Sequence, residues 1–265
     1  MIDILIPIKD NPDVFALTLS SIFHQDIKRR NIHVIVRDEG QVSCLESRTC
    51  RMMWDLVAYK YKATYIRDPH PVGLVESRRI LLDRTHNRFL LWLDGDILLP
   101  VNALSKFYDE SPDDFGFTIP IILDVDNARK HIDYTRGSAK TIDNHRALGA
   151  SRNYIQCDEE DVDVIYRGNG GCMFCRTDRV KVHVKYDFSH ITTGEGEDMI
   201  ASILLADKFP CYLNTGIVVQ HMIYPTHQWE WAKAAGSMAY QYLETKVKKS
   251  TLEKSLLGTA GYKKV

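Results

Sequence analysis

FLLWLDGDILLP, residues Phe89–Pro100, decides the fold class because a strongly apolar run ends in two carboxylates. Five large apolar residues precede Asp94-Gly95-Asp96, and a second uncharged run follows. Burying an unpaired carboxylate is costly, so the two acids are expected to lie where the strand leaves the core. At a turn, their side chains can converge. The segment therefore predicts a buried strand that opens onto a polar site.

The residues before this strand predict a regular alternation of strands and helices. MIDILIPIKD reads as a parallel strand covered on both faces, followed by a helix with Asn11 as N-cap and Pro12 at its first position. NIHVIVRDEG and ATYIRD are further strands, and Cys50–Tyr61 and Val75–His86 are predicted helices. Parallel strands require right-handed crossovers. This pattern predicts a doubly wound, mostly parallel α/β sheet flanked by helices, with ligands bound beyond the carboxyl ends of its strands.

The chain after Pro100 is less regular. Asp124–Asp163 is polar and without a clear period, which is typical of a lid, a binding loop or disorder. Two more D-x-D triplets, Asp124-Val125-Asp126 and Asp161-Val162-Asp163, fall in polar stretches and are interpreted as solvated loops. Strand-like GCMFCRTD, the acid-led helix GEGEDMIASILLADKFP and strand-like CYLNTGIVVQHMIY follow. An amphipathic helix is predicted over Trp229–Lys246.

The composition is that of a soluble globular protein, with 45% hydrophobic residues, 26% charged residues and a net charge of −1. This charge disfavours nucleic-acid binding as the primary function. No apolar run approaches the roughly 18 residues of a membrane span, and no signal peptide is recognisable. Cys172-x-x-Cys175 lacks a second pair at zinc spacing, so buried thiols are expected. With no glycosylation sequon in the chain, these features favour the cytoplasm.

Several polar residues follow the predicted strands of the first half. Asp94 and Asp96 suit a hard cation shared with a diphosphate, or one acid can bind the metal while the other accepts from a ribose hydroxyl. The alternative is a surface Asp-Gly turn. Asp38 is either an acceptor for the N–H of a flat base or part of a solvated turn. Gly73 permits close backbone approach, and Arg78 can reach a phosphate, brace Asp94 or form a surface ion pair.

The second half adds an acidic cluster and a histidine. Glu195-Gly196-Glu197-Asp198 precedes the apolar helix, and a capping box from Thr192 to Glu195 explains its first acid. It explains three acids and two glycines less well, and a carboxylate at a pocket edge can act as general base. His221 ends an apolar strand; it is either a satisfied polar group or a third ligand of a metal at Asp96.

Taken in order, these motifs resemble the family-2 glycosyltransferases of the GT-A fold over roughly residues 1–222. ILIPIKDNPDVFALTLSSIFHQ, with Pro7, is similar to the family's first strand and helix, and VIVRDEG to its strand ending in Asp-Asp-Gly-Ser. Glu39 and Gln41 depart from that motif. VGLVESRRILL fits at Gly73 and Arg78 but departs at the residues flanking Arg78. FLLWLDGD, GNGGCMFCR and GEGEDMIASILLADKFPCYLN resemble the D-x-D strand, the glycine-rich strand and the Glu-Asp helix.

The resemblance implies an inverting, metal-dependent transfer of sugar from a nucleoside-diphosphate sugar, with uridine the favoured base, to an acceptor hydroxyl. Its implied donor site comprises Pro7, Asp38, Gly73, Arg78, Asp94, Gly170 and Gly171. Its implied metal site for Mn²⁺ or Mg²⁺ comprises Asp96, Asp94 and His221. Asp198 would be the general base with Glu197 supporting it, although a second register makes Glu195 or Glu197 the base. The acceptor can be a glycan, a small molecule or modified DNA.

This reading divides the chain into three parts. Residues 1–100 form the nucleotide-sugar-binding half, and residues 101–222 form the acceptor-binding and catalytic-base half of the same domain, with a smaller acceptor-side subregion. Residues 223–265 form a C-terminal helical extension. Three alternatives stay open. A nucleotidyltransferase should carry a glycine-rich loop after its first strand, where this chain reads PIKDNPDVFA. A non-catalytic sugar-nucleotide-binding module should lack GEGED. A DNA glycosyltransferase requires its basic segments to form one face; these are RRNIH, Arg129-Lys130-His131, RTDRVKVHVK and the lysine-rich C-terminus.

Overall fold

The computed structural model describes residues 1–28, 31–125, 132–133, 162–164, 171–189, 197–222 and 241–252. The α-helices are α1 Pro12–Phe23, α2 Arg48–Lys60, α3 Leu74–Asp83, α4 Ala103–Glu110, α5 Thr177–His183 and α6 Glu197–Ala206. The strands are β1 Ile2–Ile8, β2 Ile32–Asp38, β3 Lys62–Arg67, β4 Phe89–Leu93, β5 Ile97–Leu98, β6 Phe117–Val125, β7 Ile132–Asp133, β8 Val162–Val164, β9 Cys172–Arg176 and β10 Tyr212–Met222. A short 3-10 helix spans Cys44–Glu46.

These strands form one sheet in the order β3-β2-β1-β4-β9-β6-β10-β5, with β7 on β6 and β8 on β10. The pairs β3-β2, β2-β1, β1-β4 and β6-β10 are parallel, whereas β9 runs antiparallel to both β4 and β6. The chain proceeds from β1 to β3 on one side and returns to β4 on the other. Such a reversal of strand order creates a crevice beyond the carboxyl ends of β1 and β4, and Asp94 follows β4 there.

The sheet has a separate hydrophobic core on each of its two faces. Ile4 and Ile6 of β1 pack in the core that includes α1, α2 and α4, whereas Leu5 packs in the core that includes α3, α5 and α6. Strand residues point alternately to opposite faces, so apolar residues at every position bury both faces. The predicted doubly wound α/β fold is confirmed, and it is the GT-A architecture with a mostly parallel central sheet.

The predicted elements differ from the observed ones mainly at their ends. Helix α2 begins two residues before the predicted Cys50, since the Ser47 side chain accepts from the Cys50 N–H at 3.5 Å. Pro12 occupies the first helical position of α1, as predicted. Asn11 sits at the N-cap with left-handed φ 56° and ψ 56°, but its side chain forms no capping bond. Backbone conformation, rather than side-chain capping, therefore starts this helix.

The interpretation of the two other D-x-D triplets as solvated loops is wrong for the residues that the structure describes. Asp124 and Val125 end β6, and Val162 and Asp163 belong to β8. Both strands pair with β10, His221 with Asp124 and Leu213 with Asp163. Pairing with β10 supplies the backbone hydrogen bonds of these segments, and a polar local sequence gives no indication of a partner so distant in the chain. The remaining triplet residues lie outside the described part of the chain.

The prediction of buried free thiols at Cys172 and Cys175 is confirmed. The thiols at Cys44, Cys50, Cys172, Cys175 and Cys211 are free and buried. Within the described ranges, no helix combines the length and apolar character needed to cross a membrane. The predicted helix over Trp229–Lys246 lies largely outside these ranges; residues 241–244 are helical, and residues 245–247 are not.

Candidate active site

The Asp94-Gly95-Asp96 turn is held by hydrogen bonds to Gly171 and Thr18, and its glycine packs closely against β1. The Asp94 N–H donates to the Gly171 carbonyl at 2.9 Å, and the turn closes with the Ile97 N–H donating to the Asp94 carbonyl at 3.3 Å. The Thr18 hydroxyl of α1 donates to the Gly95 carbonyl at 2.9 Å. A Cβ on Gly95 would lie 3.1 Å from Cδ1 of Ile8. The turn therefore has a defined geometry before any ligand binds.

Arg78 joins this turn to the start of α6. One of its terminal nitrogens lies 3.2 Å from an Asp94 carboxylate oxygen and 3.3 Å from a Glu197 carboxylate oxygen. The Arg78 side chain is 1% exposed, whereas the Asp94 and Asp96 side chains are each 34% exposed. Of the three roles that the sequence left open for Arg78, the described geometry matches bracing Asp94. Glu197, at 7% side-chain exposure, is its second partner.

The acids at this site outnumber the fixed positive charges. Burial raises the pKa of Asp94 to about 6, while Arg78 opposes the rise and Asp96 adds to it. Burial likewise raises the pKa of Glu197 to about 8, against the opposing charge of Arg78. The charges of Asp198 and His221 also act on Asp94. Like charges held together disfavour ionisation, so a bound cation would favour the ionised form of these carboxylates.

His221 reaches the turn because β10 pairs with the short strand β5. His221 lies in register with Ile97, and the Met222 N–H donates to the Asp96 carbonyl at 2.9 Å. This places Nε2 of His221 3.3 Å from Oδ2 of Asp96, with the histidine side chain 17% exposed. An oxygen and an imidazole nitrogen are thus presented side by side. His221 therefore lies beside Asp96, and its role as a metal ligand stays a prediction.

The predicted set of three metal ligands is not assembled. Among the described residues, no group of three His, Cys, Asp or Glu side chains is arranged to hold a metal ion. Asp94 instead faces Arg78, which leaves Asp96 and His221 as the adjacent pair. Two protein ligands suit a cation such as Mn²⁺ or Mg²⁺ whose remaining positions are filled by ligand phosphates and water. The residues therefore fit a divalent cation that is completed by a bound diphosphate.

The two acids at the start of α6 differ in their surroundings. Glu197 is buried and paired with Arg78. Asp198 is partly exposed, and its Oδ1 accepts from the Met199 N–H at 2.7 Å. A general base must reach a proton on a bound substrate, and the more exposed of these two carboxylates is Asp198. Glu195, the other candidate for the base, lies outside the described residues.

Asp38 ends β2 as predicted, but its side chain is buried among protein donors. Its oxygens accept from the N–H groups of Gly40 at 2.9 Å and Cys44 at 3.0 Å, and from the Tyr65 hydroxyl at 2.6 Å. The solvated-turn alternative is therefore wrong, because the residue is fully buried. A direct contact between Asp38 and a nucleotide base stays a prediction. In the structure, Asp38 stabilises the loop after β2 through its hydrogen bonds with Gly40 and Cys44.

The other predicted donor-site residues occupy different settings. Gly73 precedes α3 with φ 87° and ψ 158°, a backbone conformation that suits glycine. Pro7 lies within β1, opposite Arg37 of β2. Gly171 is buried and contacts the D-x-D turn through its carbonyl, and Gly170 lies outside the described residues. Their contacts with a donor remain predictions.

Two buried polar residues at the carboxyl edge of the sheet were not predicted from the sequence. The buried Thr18 of α1 donates to the Gly95 carbonyl. A hydroxyl on the apolar helix face formed by Phe15 and Leu19 is the sequence feature that could have identified it. Arg37 is buried and donates to Glu39 at 2.7 Å and to Asp68 at 2.9 Å. The sequence feature that could have identified Arg37 is a guanidinium inside the apolar strand HVIVRD.

The fold and this cluster of acids define an α/β protein of the GT-A type, with its site at the carboxyl edge of a doubly wound sheet. The sequence model described as glycosyl transferase family 2 matches residues 3–174, well over half of the chain. The chain therefore belongs to glycosyl transferase family 2. No curated protein sequence matches it closely enough to count as a relative.

Solved structures share the fold at low sequence identity. The chain is similar to the mannosyltransferase PcManGT from Pyrobaculum calidifontis in complex with GDP-Man and Mn²⁺, with a TM-score of 0.67, 14% identity, and 98% of this chain and 70% of that chain covered. It is also similar to S. aureus TarS, with a TM-score of 0.65, 14% identity, and 97% and 42% covered. It is similar to GalNAc-T7 with UDP, GalNAc and Mn²⁺ as well, with a TM-score of 0.63, 14% identity, and 84% of this chain and 43% of that chain covered. The chain thus spans less than half of the last two proteins.

Proposed function

We propose that this glycosyltransferase uses a nucleoside-diphosphate sugar, a UDP-sugar in the first instance, and transfers the sugar to an acceptor hydroxyl with inversion. One observation carries the proposal: the buried Arg78 contacts both Asp94 and Glu197 at the carboxyl edge of the sheet. Next to these two acids lie Asp96, paired with His221, and Asp198 at the start of α6. The bound UDP and GDP-Man in the structures of GalNAc-T7 and PcManGT support a nucleotide-linked donor.

The proposed reaction divides its tasks between the two ends of the cluster. Asp96 and His221 would hold Mn²⁺ or Mg²⁺, which supplies charge neutralisation for the leaving diphosphate. Asp198 would take the proton of the acceptor hydroxyl as that oxygen attacks the anomeric carbon from the face opposite the diphosphate. Glu197 is unsuited to this task, because Arg78 holds it in the interior. A single displacement of this kind inverts the anomeric configuration.

A glycan or small-molecule acceptor is favoured over modified DNA. Several basic groups of RTDRVKVHVK bind backbone carbonyls within the chain. Arg176 donates to Asp113 at 3.2 Å, Lys181 donates to Thr85 at 2.8 Å, and Arg179 donates to Asp114 and Phe115. Side chains engaged in this way are poorly placed to bind a phosphate backbone. The nucleotidyltransferase alternative is also disfavoured, since the chain is a family-2 glycosyltransferase.

A donor screen tests the proposal. Release of nucleoside diphosphate should be measured from UDP-, GDP- and CDP-sugars with Mn²⁺, with Mg²⁺ and with chelator. We expect one donor class to be consumed, chelator to abolish the release, and Asp96→Ala to lower it by about 100-fold or more. The exposed Asp55→Ala on α2 is the matched control. The proposal fails if the panel yields no metal-dependent release, or if Asp96→Ala behaves like its control.

Asp198→Asn tests the assignment of the base. This change keeps the shape of the side chain but removes its capacity to take a proton. We expect transfer to fall by about 100-fold to 10,000-fold, while calorimetry finds the affinity for nucleoside diphosphate nearly unchanged. Loss of both transfer and affinity would assign Asp198 a structural role at the start of α6. The anomeric configuration of the product, read by NMR, tests inversion separately.

A further inference from the structure

We infer that Arg78 is a positioning residue that holds Asp94 and Glu197 on one guanidinium and thereby orients Asp198, the proposed base. The inference rests on the proposed function and assigns Arg78 no contact with the donor. It also gives a task to Glu197, which lies beside the proposed base but is held in the interior. Arg78 would then act on both ends of the reaction through protein side chains alone.

The contacts of Arg78 leave it little access to a substrate. The same terminal nitrogen lies 3.2 Å from Asp94 and 3.3 Å from Glu197, and the side chain is 1% exposed. A phosphate could reach the guanidinium only if one of these carboxylates moved away. An arginine that bound donor phosphate would need to face the crevice. The burial therefore favours bracing over phosphate binding.

Two aromatic residues fix the position of the guanidinium. Its central carbon lies 5.3 Å from the ring centre of Trp92, in the range of a cation–π contact. The Trp92 and Tyr186 rings pack edge to face at 5.3 Å, and Tyr186 also interacts with Arg78. Both aromatic side chains are fully buried. Arg78 is thus a rigid anchor, with its charge directed at the two carboxylates.

The ion pair to Glu197 connects the two halves of the domain. Arg78 lies on α3, in the first half of the chain, and Glu197 is the first residue of α6, in the second half. Successive residues on a helix point about 100° apart. Holding Glu197 inward therefore sets the direction of Asp198, the next residue. Asp94 is fixed by the same nitrogen, so the metal side and the base side of the site share one anchor.

Arg78→Lys tests this role because lysine keeps the charge but offers a single point donor in place of a planar fork. We expect kcat to fall by about 100-fold, as for a small misplacement of a catalytic group. The Kd for UDP with Mn²⁺, measured by calorimetry, should change by less than about threefold. Arg79→Lys is the matched control, since Arg79 is the next residue on α3 and pairs with Glu76 and Asp83 at the surface. It should leave kcat unchanged.

Hydrogen exchange provides a readout that does not depend on activity. Amides in the first turn of α6 should exchange about tenfold faster in Arg78→Lys than in Arg79→Lys, because the inward anchor is weakened. Glu197→Gln replaces the other partner of this contact with an amide that cannot ionise and should have the same effect, which keeps the test valid if Arg78→Lys does not fold. Equal exchange in all three variants overturns the inference, whether or not a donor has been found.

The double variant Arg78→Lys/Glu197→Gln separates positioning from direct binding. If the two residues act as one unit, the loss of kcat in the double variant should match the larger single loss. Additive losses contradict the inference. So does a rise of about tenfold in the Kd for UDP in Arg78→Lys with kcat preserved, since that is the signature of phosphate contact. Absence of donor turnover by the unsubstituted chain would count against the proposed function alone.

Discussion

Asp3 is a fully buried carboxylate at the end of the sheet opposite the candidate active site. One of its oxygens accepts from the backbone N–H groups of His86 at 2.9 Å and Asn87 at 2.8 Å. The other accepts from the Asn87 side chain at 2.8 Å and lies 3.2 Å from Nδ1 of His33. The Asp3 side chain of β1 therefore connects His33 of β2 with His86 and Asn87, the segment that precedes β4.

Stability should depend on the ionisation of Asp3. Burial alone raises its pKa, but hydrogen bonds from His33, Asn87 and His86 outweigh burial and lower the pKa below its ordinary value of 3.8. The stabilisation is therefore present above pH 3.8 and is lost as the pH falls through the lowered pKa. We expect Asp3→Asn to reduce the free energy of unfolding at pH 7 by about 1–3 kcal/mol and to flatten its acid dependence.

Denaturant unfolding across the acid range measures both effects. Asp55→Asn, on the exposed side of α2, is the control and should leave the acid dependence unchanged. An unaltered slope in Asp3→Asn would mean that other carboxylates govern acid unfolding. Asp3 also illustrates a limit of sequence interpretation. A carboxylate inside IDILIPI is conspicuous, but its partners lie 30 and 83 or 84 residues away.

Helix α3 presents Arg78 to the acids, and its start depends on Gly73. The backbone there has φ 87° and ψ 158°, a region that is almost restricted to glycine. We expect Gly73→Ala to reduce the free energy of unfolding by about 1–3 kcal/mol and to lower transfer, because the helix would begin in a different orientation. Denaturant unfolding and the donor assay measure the two effects.

Val72→Ala is the matched control for Gly73→Ala. Val72 is the preceding residue and is 43% exposed, so its truncation should change stability by less than about 0.5 kcal/mol. If both variants had the same stability, the left-handed conformation of Gly73 would carry no energetic weight. The sequence identified Gly73 as a place of close backbone approach, and the structure adds the dihedral angles that require glycine.

At the scale of elements, sequence patterns located strands and helices well but not their pairing. The apolar strand before Asp94 and the acid-led helix α6 are both observed. His221 was placed at the end of a strand, yet only pairing of that strand with β5 explains its distance of 3.3 Å from Asp96. At Asp124 the sequence predicts a loop where the structure has a strand, for the same reason, since its backbone partners lie on β10.

The whole molecule behaves as one sheet rather than two separable halves. Strand β9, from the second half, lies between β4 and β6 and pairs with both. The core that contains Leu90 and Trp92 also contains Met173, Tyr186 and Ile200. The first half alone would therefore expose an unpaired edge at β4 together with a large apolar surface.

We predict that a fragment of residues 1–100 does not fold independently. Without β9 and α6, one edge of β4 would be unpaired, and the buried Arg78 guanidinium would lose Glu197. Circular dichroism and amide NMR should find no cooperative transition in the fragment, whereas the full chain should unfold in one cooperative step. A dispersed amide spectrum for the fragment would contradict this prediction and make residues 1–100 a domain of their own.

The amino-acid sequence by itself determined the alternation of strands and helices, the doubly wound sheet and the acids at its carboxyl edge. These features follow from local periodicity and from the cost of burying charge, which neighbouring residues reveal. Only the tertiary structure decided that Arg78 joins Asp94 to Glu197 and that His221 meets Asp96. The tertiary structure also decided that the Asp38 side chain is buried in the protein interior. Such contacts depend on which strand lies beside which, and distant pairing leaves no mark in local sequence.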